Sequence, residues 1–167
     1  NESFSDVFGE LVDLFNGGAA FPGVPEPPPA WASHATGCGT DADNQFRTSC
    51  SESPDHLNGV RWLFAEDAPA WNGAIRDLWN PVCMGDPDRA NSSLQTCSLL
   101  DNGGVHRGSG IPNHAFAMLC DGKVFNGYTV NPIGPIKAGA VWYRALTVYL
   151  TPASDFQDAY AAFNQAA

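Results

Sequence analysis

Residues 21–29, FPGVPEPPP, place five prolines in nine positions. Proline lacks a backbone N–H and fixes φ, so neither a helix interior nor a central strand can pass through such a run. The following stretch, TGCGTDADNQFRTSC, is dense in turn-forming residues. Residues from about 16 to 58 are therefore predicted to be a long Pro/Gly-rich surface insertion. Loops of that length generally carry a function or a staple. Cys38 and Cys50 sit inside it and would close a short loop if paired. The core must come from the rest of the chain.

On both sides of the insertion the apolar spacing is helical. In ESFSDVFGELVDLF, residues 2–15, Phe4, Val7, Phe8, Leu11, Val12, Leu14 and Phe15 recur near a 3.6-residue period, with acids between them. Asn16-Gly17-Gly18 ends that helix. A short helix is predicted near 73–79 and another over 109–119, with Pro112 in its first turn, where a missing N–H does no harm. Residues 134–150, GPIKAGAVWYRALTVYL, form the longest apolar helix candidate. Ser154 or Asp155 then caps a last helix. The predicted class is mainly α, a single α-helical domain over 1–167 with long, disulfide-stapled loops. Hydrophobic residues at 44% and charged residues at 16% are enough for a core of that kind.

Charge narrows the partners. Eighteen acids against eight Lys and Arg give a net charge of −10, which disfavours nucleic acid and anionic membrane surfaces. No apolar run reaches the roughly 18 residues needed to span a bilayer. Residues 1–15 carry Glu2, Asp6, Glu10 and Asp13 and no basic start, unlike a signal peptide. The five cysteines include no CxxC. Cys83 and Cys97 are a second plausible pair by proximity, and Cys120 falls outside both pairs. Disulfides imply an oxidising compartment, and the sequon at Asn91 agrees with a secreted, extracellular protein.

Complete catalytic sites are hard to find. Asp101, His106 and Ser109 supply the residue types of a serine hydrolase, but GxSxG is absent. The four histidines, His34, His56, His106 and His114, give no HExxH. Taken singly, Glu2 reads as a first-turn acid favoured by the helix dipole, His106 as a loop histidine and Arg76 as a surface arginine.

Four segments together say more. NESFSDVFGELVDLF resembles the helix of thermolysin-like zinc metalloendopeptidases that carries their third zinc ligand. AIRDLWNP resembles the segment with their substrate-binding arginine. DNGGVHRGSGIPNHAFAML resembles their catalytic-histidine segment, and VWYRALTVYLTPASDFQDA the helix pair that follows. All four occur in the family's order. The resemblance implies that Glu2 is the carboxylate zinc ligand and that Asp6, one turn later, orients a zinc-bound histidine. His106 would donate to the oxyanion of the tetrahedral intermediate, and Asp101 would hold its other ring nitrogen. Arg76 would bind a substrate carbonyl. Phe64, Ala68 and Ile75 would help line an apolar pocket for the side chain after the scissile bond.

Two departures accompany it. The family's HExxH segment, which supplies two zinc ligands and the general base, lies upstream of the part matched by Asn1. The chain therefore reads as the C-terminal half of a peptidase, inactive alone and sharing zinc with a missing N-terminal half. Its expected partners are that half and a peptide or protein substrate. The family's calcium acids match Glu10, Asp13 and Glu66, but Arg61 stands where another acid is expected. The resemblance thus implies one calcium ion or none. The alternative is a non-catalytic, peptidase-derived binding or structural module.

Overall fold

A computed structural model describes residues 1–17, 62–65, 74–96 and 99–167. Cys38 and Cys50, the part of the predicted insertion beyond residue 17, and Arg61, Glu66, Ala68 and Cys97 lie outside those residues. The described chain is mainly helical and forms two compact units, Asn1–Ala117 and Met118–Ala167.

In the first unit, α1 spans Glu2–Gly17. Its inward face corrects the apolar stripe expected from the sequence. Val7, Leu11 and Leu14 are buried, but so are Ser3, Asp6 and Glu10, while Val12 and Phe15 are half exposed or more. Buried carboxylates are tolerated only with partners, and both have them. Glu10 Oε1 accepts a hydrogen bond of 2.8 Å from the Trp62 backbone N–H; the partners of Asp6 belong to the site below. Phe4 and Phe8 stack on each other along α1, with ring centroids 6.3 Å apart.

The helix expected near 73–79 is instead a strand. β1 (Leu63–Phe64) and β2 (Arg76–Asp77) pair antiparallel, Leu63 with Asp77 and Phe64 with Arg76. The cause is local. Asp77 Oδ1 accepts from the backbone N–H of Trp79 at 2.9 Å and of Asn80 at 2.7 Å, a side-chain turn that competes with a helical ladder. Pro81 then keeps Asn80 out of the α region. Trp62, Leu63, Leu78, Trp79 and Phe116 form the centre of this unit, with Trp62 edge-on to Phe116 at 5.8 Å.

A single 3₁₀ turn, Pro81–Met84, ends at Gly85 in the left-handed region. Cys83, within it, is disulfide-bonded. α2 (Asp101–Gly108) begins with left-handed backbone, since φ is 58°, 49°, 89° and 79° from Asp101 to Gly104. Asp, Asn and Gly are the residues that adopt this region at least cost. Gly104 is further constrained, because a Cβ there would fall 2.3 Å from Thr96 Cγ2. α3 (Gly110–Asp121) follows, where the sequence places a helix with Pro112 in its first turn.

In the second unit, which begins within α3 at Met118, Gly122 ends that helix in the left-handed region. β3 (Lys123–Phe125) and β4 (Tyr128–Val130) make a hairpin around Asn126-Gly127, both at positive φ, the requirement of a two-residue type I′ turn. The long apolar helix expected over 134–150 resolves into α4 (Pro135–Arg144) and a π turn, Ala145–Tyr149. α5 (Phe156–Ala166) is capped by Asp155, whose Oδ1 accepts from Gln157 and Asp158 while Asp158 reaches back to the Asp155 N–H. That is a capping box with Asp in both places. Ala145, Ala162 and Ala166 are buried here, and Trp142 stacks on Phe163 at 4.0 Å. Among the described residues no helix is long and apolar enough to cross a membrane.

Candidate active site

Five residues singled out from the sequence converge in the first unit. Glu2 and Asp6 lie one turn apart on α1, as i and i+4 must. Arg76 comes from β2, and Asp101 and His106 from α2. The left-handed turn Asp101–Gly104 folds the chain back so that Asp101 meets the residue five positions on. The Asp101 carboxylate contacts His106 twice: Oδ1 accepts from ring Nδ1, and Oδ2 accepts from the His106 backbone N–H at 3.1 Å. On the ring's other side, Nε2 lies 3.3 Å from Glu2 Oε2. His106 is thus held between two carboxylates. The Asp101 hydrogen bond raises its pKa above the usual histidine value, with Glu2 adding to the effect while desolvation and Arg76 oppose it. The same contact holds Asp101 below the ordinary carboxylate range.

Asp6 is the buried hub. Arg76 Nη1 donates to Asp6 Oδ1 at 3.2 Å, and Asn113 Nδ2 donates to Oδ2 at 2.8 Å. Ser109 Oγ lies 3.2 Å from the same oxygen and 2.6 Å from the His106 carbonyl, so its one proton is shared between two acceptors. Arg76 Nε also reaches the His106 carbonyl at 3.4 Å, and its guanidinium sits over the Phe64 ring. A carboxylate that is 4% exposed is tolerated there because donors surround it. Asp6 therefore fixes Arg76 on one side and α3 on the other.

Ser109 and Asn113 are not evident as members of the site in the sequence, where Ser109 enters only as a nucleophile. The available signal is their spacing: residues 106, 109 and 113 fall on one helical face. His114 is buried away from this cluster, with Nδ1 3.2 Å from the Asp88 carbonyl. Ile75 and Phe64 are half-buried beside Arg76. Of the acids matched to calcium, Glu10 is buried and Asp13 half-buried on α1. Asn91 is exposed. Among the described residues no three His, Cys, Asp or Glu side chains come together as a metal-holding group. Glu2 stands as one open carboxylate, 40% exposed, which fits one ligand of a metal and not a whole site.

Residues 40–167 match the family described as the thermolysin metallopeptidase, alpha-helical domain. The chain belongs to this family. The extracellular elastase of Staphylococcus epidermidis is 45% identical over the whole chain, which corresponds to 22% of that protein. The thermostable neutral protease of Geobacillus stearothermophilus is 35% identical over the whole chain and 23% of its own length. The bacillolysin of Bacillus amyloliquefaciens is 44% identical over 64% of the chain. The match thus spans 19–23% of the length of these curated relatives.

Proposed function

We propose that this chain is the helical part of a secreted zinc-dependent metalloendopeptidase, completed by an HExxH-bearing segment. The observation that carries the reading is the His106 ring, held by Asp101 on one nitrogen and facing Glu2 with the other. In this reading Glu2 is one zinc ligand. Zinc, when bound, supplies Lewis-acid polarisation of the carbonyl under attack.

The chain's own residues do the rest. Asp101 keeps a proton on Nδ1, so Nε2 is a donor only while the ring is an imidazolium. That donor stabilises the oxyanion as charge moves onto the carbonyl oxygen. Arg76 is braced on Asp6 through Nη1, and among the described residues its Nη2 makes no hydrogen bond. It is placed to bind a peptide carbonyl of the substrate. Phe64 and Ile75 are the described residues proposed to help line an apolar pocket for the neighbouring substrate side chain. Asp6 retains acceptor capacity on Oδ1 for an orienting bond to a zinc-bound histidine.

The test is a peptidase assay on the intact protein, including whatever precedes Asn1. Hydrolysis that is abolished by a chelator and restored by zinc supports the reading. An intact protein without HExxH, or one that hydrolyses no peptide, leaves the non-catalytic module instead; hydrolysis indifferent to chelation would overturn the zinc-dependent reading.

Calcium is proposed to be reduced to one ion or lost. Glu10 already spends Oε1 on the Trp62 N–H, and Arg61 brings a cation where an acid is expected. A calcium titration followed by melting temperature should show a small rise. A large rise at micromolar calcium would sink the idea. Cys83 is proposed to pair with Cys97 and Cys38 with Cys50.

A further inference from the structure

Arg107 follows His106 directly and is tied to a different part of the chain. Its Nη2 donates to the Gly85 carbonyl, and its Nε lies 3.5 Å from Asp86 Oδ1. Both acceptors are themselves fixed. The Gly85 N–H donates to the Val82 carbonyl and the Asp86 N–H to the Pro81 carbonyl, each at 3.0 Å, and Cys83 between them is disulfide-bonded. Asp86 is mostly buried, which raises its pKa, and Arg107 opposes that rise.

The same segment meets the His106 region on both sides. Before His106, Gly104 lies so close to Thr96 that a Cβ would clash with its methyl. After it, a Cβ on Gly110 would fall 2.7 Å from the Pro87 carbonyl and 3.1 Å from Asp86 Cβ. His114 Nδ1 lies 3.2 Å from the Asp88 carbonyl. The turn before His106 has left-handed backbone from Asp101 to Gly104, so no right-handed helical ladder supports His106 from its N-terminal side. External contacts must set its position.

We propose that Arg107 is a positioning residue: by gripping the Gly85 carbonyl and the Asp86 carboxylate, it locks the turn that aims the His106 ring. The proposal rests on the catalytic role assigned to His106 above. Arginine suits the task because its planar fork serves two acceptors at once, which a lysine ammonium does less well.

The experiment uses the intact enzyme with Arg107→Ala, Arg107→Lys, Asp86→Ala and the double alanine variant. Arg107→Ala should lower kcat by about tenfold, since a displacement near 1 Å can cost up to about a hundredfold. KM should stay within about twofold, and Arg107→Lys should restore part of the loss. Asp86→Ala should match Arg107→Ala, with no further loss in the double variant, because the two act as one unit. Hydrogen exchange at amides 101–108 should quicken in both single alanine variants. Should Arg107→Ala fail to fold, Arg107→Lys and Asp86→Asn carry the same test with smaller losses. Unchanged kcat and exchange in Arg107→Ala, a loss confined to KM, or additive losses would each overturn the proposal. If exchange quickens in Arg107→Ala but His106→Ala retains full turnover, the anchor holds and the role given to His106 is what fails.

Discussion

Replacing His106 by alanine in the intact, zinc-loaded protein is expected to lower kcat by about a hundredfold or more, the usual effect of deleting an oxyanion donor. KM should change little, because the lost interaction strengthens only as charge develops on the carbonyl oxygen. A loss appearing only in KM would contradict the assignment, since it would mean that His106 merely binds substrate. The contacts around the ring add a pH signature. Asp101 holds Nδ1–H, so the donor at Nε2 exists only in the imidazolium, and Asp101 is the main reason that form persists above the usual histidine pKa. Turnover should fall as pH rises through that raised value. Asp101→Asn removes the largest upward influence, so the alkaline fall should move to lower pH. An alkaline limb that stays where it was would show that turnover does not depend on this proton.

Glu2→Gln is the second large effect. The substitution keeps the shape of the side chain and removes the charge that a zinc ligand needs. Loss of a residue that only orients a ligand costs about 10–100-fold in metal affinity; loss of the ligand should cost at least as much, and hydrolysis should fall with zinc occupancy. Zinc competition against a chromogenic chelator reads the affinity directly. Undiminished affinity in Glu2→Gln would remove Glu2 from the coordination shell and leave it as the second carboxylate beside His106. Because Glu2 is only partly buried at the first turn of α1, the fold should tolerate the change, so a change in affinity can be read without a loss of structure.

The sequence made the helices legible where a cap or breaker coincided with a clear period. Asp155 and Pro112 mark helix starts, each through local backbone chemistry. It misled at 73–79, where apolar spacing suggests a helix but the Asp77 side chain and Pro81 impose a turn. The hairpin around Asn126-Gly127 was not predicted, although that dipeptide is the signal for one, because its three-residue strands are too short to show a period. Within the site, the resemblance of four ordered segments, and not the residue types taken singly, pointed to Glu2, Asp101, His106 and Arg76. What the pattern did not reveal was which face of α1 turns inward. A helix with apolar residues on several sides has no single stripe, and the partners that decide the matter, Arg76, Ser109 and Asn113, are distant in sequence. The same holds for Arg107, whose partners Gly85 and Asp86 are evident only once the chain is folded.

The hub at Asp6 has a consequence for how the unit is assembled. Its partners lie 70, 103 and 107 residues away along the chain. Contacts of such separation are reached only after loop-closure entropy has been overcome. Until they form, Asp6 must either stay in water or be buried without compensation, so α1 gains its docked position only when β2 and α3 are already present. No local segment can hold the candidate catalytic geometry by itself. It comes into being with the long-range closure of the whole unit, and a chain stalled before that closure presents its carboxylates, arginine and histidine as separate, unaligned groups.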